Sequence, residues 1–254
     1  MKMHVLRVGL AALLSAAQAV LAADPIGSII ALQGKATAQS VSELVRALEL
    51  KSPIYLNDKV VTAEGAKLQI QFDDDSVISQ GEKSEMAIDE YVYSPGQKEA
   101  NRCSVKLVTG MFRVISGKIT KLNPDRFSVK TKMATIGIRG CDVVGKITPK
   151  GENIYVIEIH GKESITIETK SEAKGLFAGL IEGKWGPEQS EKKLINVLNS
   201  GMVISITEGE GATQRQLTPE EAAALIHSVT PDGTPETPPG GEPDDGTGDG
   251  TGDG

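Results

Sequence analysis

The stretch Arg126–Val144, RFSVKTKMATIGIRGCDVV, decides the fold class. Phe127, Val129 and Thr131 alternate with Ser128 and Lys130, the period of two of a half-buried strand. After Met133 the apolar residues become nearly continuous, and Gly137 and Gly140 flank Arg139. Two glycines so close together in a strand mark a bend or the close approach of another backbone. Arg139 then has two readings. Adjacent amides in a glycine turn make a small positive nest, so Gly137, Arg139 and Gly140 are candidate anion-binding residues. In the plainer reading Arg139 snorkels from a bent strand and pairs with a carboxylate such as Asp142 or Glu158.

Strand patterning extends outward on both sides. Leu68, Ile70 and Phe72 alternate with Lys67, Gln69 and Gln71, and Val105, Leu107 and Thr109 repeat the period up to Gly110. Three segments read as hairpins: Ile26–Leu32 with Lys35–Gln39 about Gln33-Gly34, Ile154–Ile159 with Ser164–Thr169 about His160-Gly161, and Leu194–Leu198 with Met202–Thr207 about Asn199-Ser200-Gly201. Asp73-Asp74-Asp75-Ser76 reads as a solvated turn between strands. Ser42–Leu50 is a helical candidate with Val41, Leu44, Val45 and Leu48 on one face. Ser171–Glu191 is irregular. Thr218-Pro219-Glu220-Glu221 is a strong helix start, with an N-cap threonine, proline at the first position and glutamate three residues on. The result is an all-β chain with one or two short helices, the second within 210–229. From Thr230 to Gly254 the chain is Pro, Gly, Thr and acid, a composition that cannot repay its ordering entropy and is expected to be disordered.

The N-terminus has the form of an export signal. Lys2 and Arg7 precede a short apolar run, and Ala17-Gln18-Ala19 or Val20-Leu21-Ala22 suits a signal peptidase, giving a leader of residues 1–22. The run is too weakly apolar for the roughly 20 residues of a membrane span. A periplasmic or secreted protein, with no stable membrane span after cleavage, is expected. In that setting Cys103 and Cys141 are a candidate disulfide pair, the alternative being two buried free thiols.

Several functions are disfavoured. A net charge of −7 argues against nucleic acid, which needs a concentrated basic face. Aromatic residues at 4% leave little for a sugar- or base-stacking platform. Neither cysteine lies in a CxxC or near a histidine, so no metal site or cofactor is expected. Asp/Gly runs between Asp244 and Gly250 lack the apolar position of stacking calcium repeats, so calcium is not expected at the tail. The histidines, His4, His160 and His227, lie in no nucleophile elbow, zinc helix or phosphate loop, and no catalytic residues are assigned.

Order and spacing of several segments resemble the FecR-type domain. Leu68–Ile88, LQIQFDDDSVISQGEKSEMAI, resembles its strand, Asp-Gly-Ser turn and following strand, with Ser76 and Ser84 on the pattern and Asp75 where glycine is usual. Leu107–Val114, LVTGMFRV, resembles the step ending in RV. Thr131, Ala134, Thr135, Gly137, Arg139 and Gly140 match the element T-x-x-A-T-x-G-x-R-G-T, with Cys141 in place of the last threonine. Gly161 loosely marks the next step. The likeness covers about residues 50–170, within a β domain read as 24–209. It implies an exported all-β module, a solenoid-like or sandwich-like stack of short antiparallel strands that binds an envelope protein partner. In the regulators that named the family, a cytoplasmic anti-sigma segment and a transmembrane helix precede the domain; here a signal-like segment stands in their place. A cell-wall, polysaccharide-binding or adhesive structural protein is the alternative.

Overall fold

The computed structural model describes residues 23–169, 193–208 and 210–234. The expected leader, the whole of Ser171–Glu191 and the tail beyond Thr234 lie outside the described residues. Fifteen strands are described: β1 (Gly27–Gln33), β2 (Ala36–Gln39), β3 (Val45–Ala47), β4 (Pro53–Ile54), β5 (Lys59–Thr62), β6 (Lys67–Phe72), β7 (Val77–Gln80), β8 (Glu85–Val92), β9 (Arg102–Ile115), β10 (Phe127–Lys130), β11 (Ala134–Thr148), β12 (Gly151–Thr169), β13 (Leu194–Val197), β14 (Met202–Thr207) and β15 (Gly211–Gln216). Two α-helices accompany them, α1 (Lys118–Leu122) and α2 (Pro219–Val229).

All strands belong to one hydrogen-bonded sheet that folds back on itself into two layers. The long strands β9, β11 and β12 run through both layers. One layer has the order β4-β1-β6-β7-β9-β11-β12-β14-β15, using residues 110–115 of β9, 142–147 of β11 and 151–156 of β12. The other is β3-β2-β5-β8-β9-β10-β11-β12-β13, using the first part of β9, the first part of β11 and residues 165–168 of β12. Pairing is antiparallel except between β9 and β10. One hydrophobic core joins Ile29, Leu68, Ile70, Ile78 and Val114 of the first layer to Val60, Met86, Val105, Val129 and Ile136 of the second. Phe72 and Tyr91 meet across it with ring centroids 5.4 Å apart. The architecture is therefore the sandwich-like alternative.

The bends are where the glycines fall. At Gly110, β9 leaves its pairing with β8 and joins β7 and β11. Its φ of +110° is accessible to glycine, and a Cβ there would lie 2.0 Å from Ser84 Oγ. β11 bends at Gly140, where φ is +63°. Opposite it the register of β12 jumps from Ile159 to Ser164, so residues 160–163 bulge.

The three expected hairpins are corrected by these pairings. β1 pairs with β4 and β6, whereas β2 pairs with β3 and β5, so Gln33-Gly34 turns a corner between layers. Residues 154–169 are one strand whose two parts both pair with β11. β13 and β14 lie in different layers, each against a different part of β12. The hairpin β6–β7 is a true one.

Two further expectations change. Ser42–Leu50 is not helical: it forms β3 and flanking turns, with only Leu48 of its apolar face buried. The helix assigned to 210–229 begins at Pro219, after β15. Its start is as read: Thr218 Oγ1 accepts from Glu221 N at 3.2 Å, and the Glu221 carboxylate accepts from Thr218 N. α2 lies on the outer face of the first layer, where Leu217 and Leu225 pack with Val144, Tyr155 and Val203. Thr230–Thr234 follow the helix as an ordered strap, with Thr230 buried and Asp232 accepting from Lys67 Nζ at 3.3 Å. Order thus extends a few residues into the segment expected to be disordered.

Candidate interaction site

Around the bend of β11, Gly137 faces β12 so closely that a Cβ would lie 2.5 Å from Thr166 Oγ1, and one at Gly140 would lie 2.8 Å from Glu163 Cγ. Arg139 projects between them, about a third exposed, and donates to Asp125 Oδ1 at 2.5 Å. Asp125 sits in the 3₁₀ turn Pro124–Arg126 that leads into β10. The arginine therefore pairs with a carboxylate, but with neither Asp142 nor Glu158. The amide of Cys141 donates to Ser116 Oγ at 3.0 Å, and Ser116 N donates back to Cys141 O. A carboxylate already stands before the guanidinium and a hydroxyl before that amide. Glu158, Glu163 and His160 fringe the same bend, His160 Nδ1 lying 3.7 Å from Glu158.

Cys103 and Cys141 are free thiols, both buried. The register explains why the expected bridge is absent. Cys103 pairs with Phe127 of β10, and β10 in turn pairs with β11, so a whole strand separates the two cysteines. Two ladder spacings of about 4.8 Å exceed the ~7 Å Cα separation a disulfide tolerates. Burial pushes the Cys141 thiol up to about 12 and also raises Cys103 well above its ordinary range. Both are packing residues at neutral pH.

Asp142 is taken by Arg113, a pairing the sequence reading missed. Arg113 Nε donates to both carboxylate oxygens at 3.0 and 3.1 Å and Nη2 to Oδ2 at 2.7 Å, with both side chains nearly excluded from water. Residues 113 and 142 come from separate motif segments, the RV step and the glycine-bend element, and the pair joins β9 to β11. The signal that could have found it is an arginine at a strand position alternating with Phe112 and Val114, which only a buried partner makes tolerable.

The acidic turn also differs from its expected solvated form. Asp74 is fully buried, and its carboxylate accepts from Ser76 Oγ at 2.6 Å, Tyr91 Oη at 3.1 Å and Ile119 N at 3.2 Å. Ser76 Oγ accepts from Gly117 N, and Lys118 N donates to Asp74 O, so the turn is locked onto the start of α1. Asp75 takes φ +64°, the left-handed conformation that glycine adopts readily, and its carboxylate pairs with Lys118. Desolvation, with Asp74 beside it, raises the pKa of Asp73, and burial likewise raises Tyr91.

These pairings link the segments whose order and spacing carried the resemblance, and comparison with known proteins agrees. Residues 58–162 match the family model described as FecR protein. That matched segment is the FecR-like part of the chain. It runs from β5 to the bulge of β12 and holds Asp74, Arg113, Asp142 and Gly140, while β1 to β4 and β13 to α2 lie outside it. Among solved structures, two crystal structures of a candidate anti-sigma factor from Parabacteroides distasonis ATCC 8503, at 1.65 and 2.50 Å resolution, are similar at 12% identity and a TM-score of 0.44. They cover 66% of this chain, which spans less than two thirds of theirs, 64% and 63%. A cell surface anchoring domain is 32% identical over 24% of this chain and 82% of its own, with a TM-score of 0.24. No curated protein matches the chain. Among the described residues no helix is long and apolar enough to cross a membrane, and no group of three His, Cys, Asp or Glu side chains is placed to hold a metal ion.

Proposed function

We propose that this protein is a regulatory or sensory module of the cell envelope, exported and non-enzymatic, that acts by binding a protein partner. The observation that carries the reading is the FecR match over residues 58–162. The signal-like residues 1–22 support export, to the periplasm or beyond. The side chains of the bend fit this role as well: Arg139, Asp125, Glu158 and His160 are partly exposed on a rigid scaffold, where a partner reads charge and shape with little ordering cost.

The test is photo-crosslinking in the living cell with the probe placed at residue 139, compared with probes on β15, followed by mass spectrometry of the envelope fraction. The expected result is one recurrent adduct from residue 139. Absence of any adduct above the probe-free control at both positions would overturn partner binding. Fractionation with N-terminal sequencing addresses export separately, with a mature start at Val20 or Ala23 as the expected outcome.

A further inference from the structure

Val144, Tyr155 and Val203 form a small apolar cluster on the outer face of the first layer, apart from the main core, with Met111, Ile157 and Leu225 packed against it. Its cover is α2, whose Ala222, Leu225, Ile226 and Val229 fall at the i, i+3, i+4, i+7 spacing of one helical face. The seat is shaped for that helix. Gly81, just after β7, leaves room for its last turn: a Cβ there would lie 3.3 Å from Ser228 O and 3.4 Å from Val229 Cγ1. At the other end Arg215 of β15 donates to both carboxylate oxygens of Glu221 at 2.8 Å. Met111, Val144, Tyr155 and Ile157 lie within the FecR match, whereas the helix over them lies outside it.

The helix is lightly held. Of its residues only Val229 is buried, and Ala222, Leu225 and Ile226 stay half-buried. Its 11 residues are too few to stay helical alone in water, where even about 12–15 are marginal. Its polar ties lie at the surface, where such pairs contribute little: Arg215 with Glu221, and Lys67 Nζ with His227 O at 2.9 Å and Asp232 Oδ1 at 3.3 Å. We propose that α2 is a releasable cover, and that the groove beneath it receives an amphipathic helix of a protein partner. α2 itself specifies the chemistry of that occupant: small and aliphatic residues at the same spacing, and a first turn that offers a carboxylate to Arg215. While α2 is seated, the partner's apparent affinity is reduced to the open fraction, so release of α2 regulates binding. This groove is a second face, separate from the bend at Arg139.

The probe is a fluorescent peptide of residues 217–234, added to the full mature chain. No envelope protein is needed, so this proposal and the crosslinking reading above fail separately. Ala224→Pro breaks α2 from an exposed position and leaves the groove residues as they are. That variant is expected to bind the peptide at least about tenfold more tightly than wild type. A peptide carrying Leu225→Glu is expected not to bind it. In wild type, hydrogen exchange is expected to release the amides of 219–229 while the core strands stay protected, and this readout decides the matter if Ala224→Pro fails to fold. The proposal is overturned if the folded Ala224→Pro chain binds no peptide at about 1 mM, if both peptides bind alike, or if α2 exchanges only together with the core. Exchange of α2 between two copies is read by mixing Gly81→Cys chains with Val229→Cys chains under oxidation, since Cys103 and Cys141 are buried and do not compete. A disulfide-linked pair of chains there would assign the groove to a second copy and also overturn the proposal.

Discussion

Segments near the two ends of the described chain, 40–57 and 217–234, both lie across the sandwich, and both begin with the residues of a helix start. Only the second is a helix. Ser40 and Glu43 stand three apart just as Thr218 and Glu221 do, but Glu43 is in the left-handed conformation with φ +61°, while Glu221 closes a capping box. The difference lies in what each segment meets. The polypeptide near Ser42 lies beside β2, whose Thr37, Ala38 and Gln39 need ladder partners, and β3 supplies them. Arg46 is then drawn to Asp58, a fully buried carboxylate. α2 meets the apolar outer face of a layer whose backbone groups are already paired, and a helix satisfies its own backbone while covering that face. Local propensity is a weak preference that an unsatisfied edge overrides.

This contrast can be broken most severely beneath the C-terminal segment. Arg113→Ala leaves Asp142 buried without its partner and is expected to cost about 3–5 kcal/mol in denaturant unfolding. An unchanged denaturation midpoint would show that the outer face is wetter than described. On the other side, Arg46→Ala strips Asp58 of its cation and leaves the carboxylate with the Tyr55 amide. A loss of about 3 kcal/mol is expected, with fast hydrogen exchange at residues 44–48 and little change in α2. Thr218→Ala removes the cap from α2 and is expected to cost about 1 kcal/mol, read as faster exchange confined to residues 219–229.

The smallest effect is electrostatic. Arg215 and the Thr218 amide hold the Glu221 carboxyl below its ordinary value, and Lys67 with Gln33 does the same for Asp232. A carboxylate depressed in the folded state stabilises fully above its unfolded value, and that contribution fades as pH falls through the lowered one. The α2 strap is therefore expected to loosen below about pH 4, with exchange at 219–232 rising before the core strands lose protection. Equal loosening of core and strap would remove these two ion pairs from the account.

The family pattern was legible because its residues are fixed by backbone geometry that a sequence displays. Glycine at 110 and 140 marks positive φ and close contact, and alternation in Leu68–Phe72 marks a face turned to the core. Much of the candidate site was also visible: Arg139 was placed at a bend and given a carboxylate partner. The identity of that partner was not, because Asp125 is brought near by the fold rather than by spacing along a strand. Burial of Asp74 escaped notice for the same reason, since its donors Tyr91 and Ile119 come from elsewhere in the chain.

The sequence by itself determined most of the strand runs (though not β3 or β15), where the chain bends at its glycines, the capping box that starts α2 and which family pattern is present. All of these follow from side-chain alternation, glycine positions and capping chemistry within a few residues. Only the tertiary structure decided which strands pair, and so turned three apparent hairpins into corners between layers. A β-run, a glycine turn and a second β-run have the same local chemistry in both cases. What separates them is the ladder partner, and for β1, β2, β13 and β14 that partner lies elsewhere in the chain.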